Sequence, residues 1–501
     1  MDKREVKLKN MICWGAGDIV GNGTGTILGL WALYFYIQVA GLSPVQAGSI
    51  FAIGKIWDAI NDPIIGYTTD NIRTKWGRRR VFLLFGAPLM LLYSTIWISG
   101  FDYIYYLMTY LCFNTAMSVL SIPWITLPSE MTSDHKIRTK MGSVRMVFSQ
   151  STAFLSALIP GLFLNYFADK QDAFMAMGAT LSIIFMIPWL VVYFGTWETP
   201  ADELPEPDSL SMLETMKKIY REMFSTFKLK TFRLHLLMYV GGFCALDTIG
   251  SLLVFFGVFI AGISEAQAGS ALSIMSFAQF LGVFLFTWLA FKISNAKAYL
   301  VALAMVLGSL ILYTSLGASF SNPFYIFVAI SILLGFGRGG INLIPWVNYN
   351  FMSDIDEALT GTKRAGIYGS VMQLARKVTA ALALMLVSSS LQWVGFQSGQ
   401  ENQTTAALSG LHWIFLALPI GFMLLAAWAT MKYKLDAKAN IMLNEELDRL
   451  RSGGKLEDAT PETKSLIEEL TGWEHKYTWG NMALKKAENN DSALTMKNSY
   501  K

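Results

Sequence analysis

Apolar stretches long enough to cross a bilayer recur along the whole chain and are separated by polar loops. Twelve of them fall near 11–39, 46–70, 81–100, 103–127, 143–168, 174–197, 234–262, 267–292, 297–318, 323–351, 367–395 and 407–433. A helix needs about 20 apolar residues to cross a hydrocarbon core roughly 30 Å thick. The pattern therefore predicts an all-α membrane protein with twelve transmembrane helices.

The first six runs and the last six runs resemble each other. The stretch AGLSPVQAGS at 40–49 is nearly repeated as AGISEAQAGS at 261–270, and the triplet IPW at 122–124 recurs at 344–346. A duplicated six-helix unit is the signature of the major facilitator fold, in which the substrate site lies between the halves at mid-membrane. We therefore predict that fold, with two six-helix halves.

The repeat and the loop charges divide the chain into five parts. We predict a cytoplasmic N-terminus at 1–10, an N-terminal half at 11–197, a cytoplasmic linker at 198–233, a C-terminal half at 234–433 and a cytoplasmic tail at 434–501. Lys and Arg fill every second loop, whereas the loops between these carry only Lys170. The positive-inside rule then predicts a multi-pass protein with both termini in the cytoplasm.

Composition excludes several classes of function. The chain has 501 residues, of which 53% are hydrophobic and 15% are charged, and its formal net charge is +4. These values indicate a polytopic membrane protein and give no reason to infer nucleic-acid binding. The three cysteines lie in apolar runs and the four histidines lack ligand spacing, so the sequence predicts neither disulfides nor a metal site. Because no catalytic constellation and no phosphate-binding loop occur, we predict a protein that is not an enzyme, has no cofactor and draws on an ion gradient.

Polar residues interrupt the middle of the second apolar run. Asp58 and Asp62 are four residues apart and share one helix face, with Asn61 beside them. Carboxylates at this depth are costly unless they bind a cation or face a polar cavity. Two carboxylates and an amide oxygen supply the hard oxygen ligands of a cation site. We therefore predict that Asp58, Asn61 and Asp62 bind a monovalent coupling cation, Na+ or H+. A neutralised pair of Lys55 with Asp58, one turn apart, is the alternative.

This run and the loop after it carry a long motif. WDAINDP at 57–63 is followed by G-x-x-x-D-x-x-R-x-K-W-G-R-R-R at 66–80. The pattern resembles the second helix and following loop of the glycoside–pentoside–hexuronide:cation symporters, a family of the major facilitator superfamily. The resemblance implies a coupling cation held by the paired acids and transport by alternating access. It also implies a gating loop that includes Gly66, Asp70, Arg73, Gly77 and Arg78.

Motifs of the N-terminal half extend the resemblance to a sugar site. WGAGDIVGN at 14–22 is similar to the family's first-helix motif, which implies that Asp18 and Asn22 bind sugar; glycine-mediated helix packing is the alternative. SIPWITLPSEMT at 121–132 resembles the fourth helix and adds Ser121 and, as a stacking platform, Trp124. The family's melibiose carriers have an acid where Ser121 stands, so sodium is bound differently here or is replaced by a proton. Arg145 matches a fifth-helix arginine, with pairing to a helix-two acid as the alternative to substrate contact.

Polar residues of the tenth and eleventh runs complete the candidate substrate site. Arg338 lies among glycines, and Trp346 is a second candidate stacking platform. Gln373 and Lys377 follow in the eleventh run, where Lys377 matches the family's helix-eleven lysine. The alternatives are that Lys377 balances a helix-two acid, and that Arg338 pairs with Asp247 or faces the outer interface.

Together these residues predict a secondary transporter that imports a sugar with a cation. Arg145, Arg338 and Lys377 can converge on a carboxylate, which guanidinium groups bind bidentately. The expected substrate is a glycoside or an acidic saccharide, namely a hexuronide, an oligogalacturonide or a rhamnogalacturonide. A neutral glycoside or pentoside is the main alternative; a lysolipid symporter and a membrane sensor are less favoured. We expect a monomer in a bacterial inner membrane whose partners are the sugar, a monovalent cation and the lipid bilayer.

Overall fold

The computed structural model describes residues 5–72, 74–132, 134–199, 212–316 and 322–481. Almost all of this part of the chain is helical, and no β-strand occurs within it. Residues 200–211 of the predicted linker and residues 482–501 of the predicted tail lie outside the described ranges.

Eight α-helices of the described residues form the N-terminal half. They are α1 (Leu8–Gly15), α2 (Gly17–Ile27), α3 (Pro44–Asn71), α4 (Arg80–Gly86), α5 (Leu92–Ile96), α6 (Tyr103–Met131), α7 (His135–Tyr166) and α8 (Lys170–Gly195). π-helical turns at Leu28–Ala32 and Phe35–Val39 continue α2, and a 3₁₀ segment at Ala87–Leu91 joins α4 to α5. The first and third predicted spans are therefore interrupted helices. In the third, Pro88 has no N–H to donate to the preceding turn.

The second part of the chain begins with a short helix of the predicted linker, α9 (Met212–Ser225). The C-terminal half then comprises α10 (Lys230–Phe259), α11 (Glu265–Ile293), α12 (Asn295–Thr314), α13 (Pro323–Tyr349), α14 (Met352–Thr360), α15 (Ala365–Trp393) and α16 (Thr405–Lys432). Two further helices, α17 (Ala437–Arg451) and α18 (Pro461–Thr471), belong to the predicted tail.

Nine helices within the described ranges are long and apolar enough to cross a membrane, namely α6, α7, α8, α10, α11, α12, α13, α15 and α16. The three other predicted spans correspond to the segment from Leu8 to Val39, to α3, and to the segment Arg80–Ile96. The hydropathy of α3 is lowered by Lys55, Asp58 and Asp62, whose side chains face the interior. The prediction of an all-α membrane protein is confirmed, and each predicted span has a helical counterpart.

The tail helices pack on the C-terminal half. Arg451 of α17 pairs with the buried Glu357 of α14 at 2.6 Å, and the Thr231 hydroxyl of α10 donates to the Leu470 carbonyl of α18 at 2.6 Å. The Trp479 N–H then donates to the Ala358 carbonyl at 2.8 Å. The described part of the tail is therefore a folded extension of this half.

The two halves meet along α3 with α15 and along α7 with α11. They are joined at the end of the molecule where α11 begins, which we call the closed end. There the Glu265 carboxylate accepts from the Tyr34 hydroxyl at 2.8 Å and pairs with Lys170 at 2.7 Å. Gly161 and Gly269 bring α7 and α11 into backbone contact, because a Cβ on Gly269 would lie 2.8 Å from the Gly161 Cα.

The opposite end carries the loop 74–80 and is called the loop end. A cavity of about 550 Å³ separates α3 there from α9 and α15. Most of its lining is apolar, with Met216, Ile219 and Met223 of α9 on one side. The two halves are thus in contact at the closed end and separated by a cavity at the loop end.

Candidate functional site

The helix α3 carries the acidic residues, and its start is well defined. Ser43 caps it by accepting from the Gln46 N–H at 3.3 Å, and Pro44 occupies the first turn, where no N–H is needed. Helical spacing then turns Lys55, Asp58 and Asp62 toward the centre of the molecule.

Asp58 and Asp62 are each held by a lysine. Lys55 donates to Asp58 Oδ2 at 2.9 Å from one turn earlier on α3. Asp62 accepts from the Ser118 hydroxyl of α6 at 2.6 Å and forms an ion pair with Lys377 of α15. The second pair links the two halves, since its partners lie on α3 and α15. The sequence predicts both lysine pairings only as alternatives to ligand binding.

Polar atoms next to these pairs have no partner. Asp58 Oδ1 and Asn61 Nδ2 are buried and make no hydrogen bond within the described part of the chain. Buried polar groups are nearly always satisfied, so unpaired ones beside two carboxylates fit a site that takes a ligand. Of the described His, Cys, Asp and Glu residues, no three cluster as metal ligands. Of the two unpaired atoms, Asp58 Oδ1 is a hard oxygen of the kind that binds cations, whereas Asn61 Nδ2 is a hydrogen-bond donor.

Pro63 removes one backbone hydrogen bond of α3 beside these acids. A proline in a helix cannot donate to the carbonyl one turn earlier, which here belongs to Ala59. The Tyr220 hydroxyl of α9 donates to that carbonyl at 3.2 Å. The linker helix therefore contacts the acidic helix through a backbone group that the proline leaves free.

The acids line a central cavity of about 400 Å³. Its charged lining comprises three carboxylates and three cations, namely Asp58, Asp62, Asp247, Lys55, Arg376 and Lys377. Its uncharged polar lining includes Tyr110, Asn114, Ser118 and Ser121. The cavity is thus charge-balanced and rich in hydrogen-bonding groups, and it lies between the halves.

Asp247 and Arg376 line this cavity, although they are not among the site residues predicted from the sequence. Arg376 holds Asp247 bidentately at 2.6 and 2.8 Å, and the two partners are 129 positions apart in the chain. Charges inside the seventh and eleventh apolar runs were a signal for these residues. Their pairing across α10 and α15 was not visible in either run alone.

The first-helix candidates form a cluster with α6 and α7. Asp18 accepts from Arg145 Nε at 3.1 Å, and the Arg145 guanidinium lies 5.3 Å from the centre of the Trp124 ring. Asn22 donates to the Ser149 carbonyl at 2.6 Å. Asp18, Trp124 and Arg145 are therefore brought together, with Asn22 on the next turn of α2.

The C-terminal candidates are more scattered. Arg338 is enclosed, donating to Gln279 Oε1 at 2.9 Å and to the Leu246 carbonyl at 3.2 Å. Trp346 packs against the rings of Tyr239 and Tyr349, at 5.8 and 6.1 Å. Gln373 lines the cavity of the loop end together with Asp58, Asp62 and Lys377.

The loop after α3 packs on the N-terminal half. Arg78 donates to Glu130 of α6 at 2.5 Å, and the Arg79 N–H donates to Glu198 at 2.8 Å. Burial raises the pKa of the Glu198 carboxyl. Gly77 has φ +108°, and a Cβ there would collide with Glu198. This glycine is thus required by both its backbone conformation and its neighbour.

The other predicted gating residues are placed as follows. Gly66 leaves space in α3, because a Cβ there would lie 4.0 Å from Ile122. Arg73 lies outside the described residues, as does the side chain of Asp70.

Comparison with known proteins identifies the family. Residues 13–437 match the family description "MFS/sugar transport protein". An uncharacterized symporter of Synechocystis is 26% identical over 87% of this chain and 96% of that protein. A glucuronide carrier protein homolog of Escherichia coli K12 is 23% identical over 89% of this chain and 96% of that protein. A sodium-dependent lysophosphatidylcholine symporter of Danio rerio is 22% identical over 91% of each chain.

A solved structure shares the fold. It is a bacterial homolog of the human lysosomal transporter Spinster, with a TM-score of 0.59 and 14% identity over 86% of this chain and 100% of that one. The chain therefore belongs to the glycoside–pentoside–hexuronide:cation symporter family of the major facilitator superfamily, and it is a membrane transporter, not an enzyme.

Proposed function

We propose that this protein imports an acidic saccharide together with a monovalent cation, by alternating access in a bacterial inner membrane. The substrate class is a hexuronide, an oligogalacturonide or a rhamnogalacturonide, and the cation is Na+ or H+. The protein works as a monomer with both termini in the cytoplasm. The observation that carries the proposal is the pairing of Asp58 and Asp62 with lysines inside the central cavity.

The lysine pairs support cation coupling. An arriving cation competes with the ammonium groups of Lys55 and Lys377 for Asp58 and Asp62. Asp58 Oδ1 is already free to join it, and the amide oxygen of Asn61 is proposed as a further ligand. Cation binding thus releases lysine side chains into the same cavity that receives the sugar. Because the two ligands share these groups, each must raise the affinity for the other by the same factor.

Charge counting supports an acidic sugar. The six charged lining residues sum to zero, so a bound Na+ or H+ leaves the cavity with one excess positive charge. An excess charge away from bulk water is costly. A substrate carboxylate removes it and can bind the lysines that the cation releases.

The two ends of the molecule support alternating access. The halves are joined at the closed end by Glu265 and by the glycines of α7 and α11, whereas a cavity opens at the loop end. Lys and Arg concentrate in the loops of the loop end, so that end is assigned to the cytoplasm. Rocking of the halves would then expose the central cavity to the other side.

A transport assay tests this proposal. Purified protein in proteoliposomes is given galacturonate, a glucuronide, an oligogalacturonide and melibiose, under separate Na+, Li+ and pH gradients. We expect uphill uptake of an acidic sugar with one of these gradients. Melibiose should compete about ten-fold less well or worse, the difference that one charge-assisted hydrogen bond supplies. Equal competition by neutral sugars would replace this proposal with neutral glycoside symport.

A lysolipid is the second candidate, and the cavity of the loop end is the observation that favours it. That cavity is lined largely by apolar side chains of α3, α9 and α15 and adjoins Asp58, Asp62 and Lys377, so it could accept an acyl chain below a polar headgroup. The relative from Danio rerio is named for transport of such a lipid. Uptake of lysophosphatidylcholine, with no uptake of any sugar in the panel, would decide for this candidate.

A further inference from the structure

The pair of Asp247 and Arg376 is the part of the cavity that the cation coupling described above does not use. Asp247 lies on α10 and Arg376 on α15, so the pair belongs wholly to the C-terminal half. It faces the same cavity as the α3 acids, which lie in the N-terminal half. The Arg376 side chain is 34% exposed, and the Asp247 side chain is 20% exposed.

The guanidinium is held in one orientation. Asp247 binds it bidentately. Phe243 lies one turn before Asp247 on the same face of α10, and the centre of its ring is 4.9 Å from the guanidinium carbon of Arg376. The Cys244 thiol also donates to the Thr379 carbonyl at 3.6 Å, which ties α10 to α15 beside the pair. A side chain fixed in this way loses little freedom when it binds a ligand.

Hydrogen-bonding capacity remains after the pair has formed. A guanidinium has five N–H groups, of which Asp247 uses two. Each carboxylate oxygen of Asp247 also keeps one lone pair. The pair therefore offers donors and acceptors side by side, while its net charge is zero.

We propose that Asp247 and Arg376 form the subsite that binds neighbouring ring hydroxyls of the sugar and selects among sugars by them. A hydroxyl is both a donor and an acceptor, and two vicinal hydroxyls match the alternation of carboxylate and guanidinium. The subsite rests on the proposed sugar transport but not on an acidic substrate. The neutral pair binds hydroxyls, whereas a carboxylate of the substrate would bind Lys55 and Lys377.

Arg338 provides a contrast within the same half. Its guanidinium donates to Gln279 and to the Leu246 carbonyl, and it does not line the central cavity within the described residues. Of these two arginines, Arg376 is therefore the one placed to contact substrate, and Arg338 braces α10 and α11 behind it.

The test uses a double variant, D247N/R376Q. A single substitution would leave one charge unpaired in the interior and could prevent folding, whereas the double substitution removes both charges. The matched control is D356N/R364Q, which removes another bidentate pair of the same half, with bonds of 2.7 and 2.8 Å, that does not line the cavity. A single cooperative thermal unfolding transition of each variant, measured without sugar, reports that its fold is intact.

The readouts are the KM for uptake and the discrimination against deoxy analogues that lack one ring hydroxyl. We expect the KM of D247N/R376Q to rise about ten-fold or more for acidic and neutral sugars alike, and its discrimination against one deoxy analogue to vanish. The control should keep both values within about two-fold. If wild-type protein takes up sugar and D247N/R376Q keeps its KM and its discrimination, the subsite is overturned while the proposed function stands. If the wild type takes up no sugar, the proposed function fails, and the subsite falls with it.

Discussion

Lys377 forms an ion pair that connects the acidic helix α3 to the other half of the molecule. Its ammonium binds Asp62, which also accepts from Ser118. The position of the acids could be predicted, because carboxylates in the middle of an apolar run are rare. Their lysine partners appeared only as alternatives, since Lys377 lies 315 positions from Asp62 and hydropathy carries no information on such pairing.

Lys377→Gln is expected to raise the affinity for the coupling cation. The ammonium competes with that cation for Asp62, and two unit charges 4 Å apart attract by roughly 1 to 4 kcal/mol between aqueous and surface dielectrics. An increase of about ten-fold in affinity is thus expected from titration calorimetry, together with loss of acidic-sugar uptake. Lys292→Gln is the control, because Lys292 is exposed and contacts the Trp288 ring. An unchanged cation affinity would show that Lys377 does not occupy the cation site.

The linker helix α9 is an element whose role the hydropathy pattern did not reveal. It covers Met212–Ser225, within the linker predicted at 198–233. It contacts α3 through a hydrogen bond from Tyr220 to the Ala59 carbonyl. That carbonyl is available because Pro63, one turn later, has no N–H to donate to it. The polar linker could be predicted from the sequence, whereas the docking of α9 depends on three-dimensional packing.

Tyr220→Phe is expected to destabilise the arrangement that is open at the loop end. The variant loses one hydrogen bond and leaves the Ala59 carbonyl unsatisfied, which costs roughly 0.5–1.5 kcal/mol. A cysteine at Gln373, which lines the cavity, should react with a thiol reagent from the loop end roughly two- to ten-fold more slowly. Tyr166→Phe is the control, since Tyr166 is 86% exposed. Equal reaction rates would indicate that α9 does not hold this arrangement.

The docked tail is expected to loosen on acidification. His475 is buried, and burial lowers the pKa of its imidazole below the usual value of about 6.5. The released tail therefore binds more protons than the docked tail once the pH falls below about 6.5, so docking is stable above that pH and weakens below it. A spin label at Glu469→Cys should gain mobility between pH 7.5 and 5.5, and His475→Gln should remove the change. A label equally immobile at both pH values would contradict this.

At the scale of the whole molecule, the halves are joined at one end and separated at the other. The duplicated six-helix plan could be predicted from the repeat at 40–49 and 261–270. Which end is joined could not, because it depends on contacts such as that of Gly161 with Gly269. The loop charges predict which end of the molecule faces the cytoplasm. The packing of the helices carries no information on that orientation.

The orientation can be checked with two cysteines in a background that lacks the three natural ones. Lys75 and Gln400 are exposed, and the segments that carry them lie at the loop end and the closed end. Gln400→Cys should react with an impermeant thiol reagent on intact cells, and Lys75→Cys should react only after the membrane is opened. The reverse pattern would overturn the orientation.

The central claim is that the α3 acids couple a cation gradient to sugar uptake, and gradient-driven uptake into proteoliposomes tests it most directly. Wild-type protein should accumulate an acidic sugar above its external concentration when a Na+ or pH gradient is imposed. Asp58→Asn and Asp62→Asn should each abolish that accumulation while sugar binding partly survives, and Asp448→Asn, at a side chain that is 73% exposed, should not. Uphill uptake that is unchanged in both α3 variants would contradict the account.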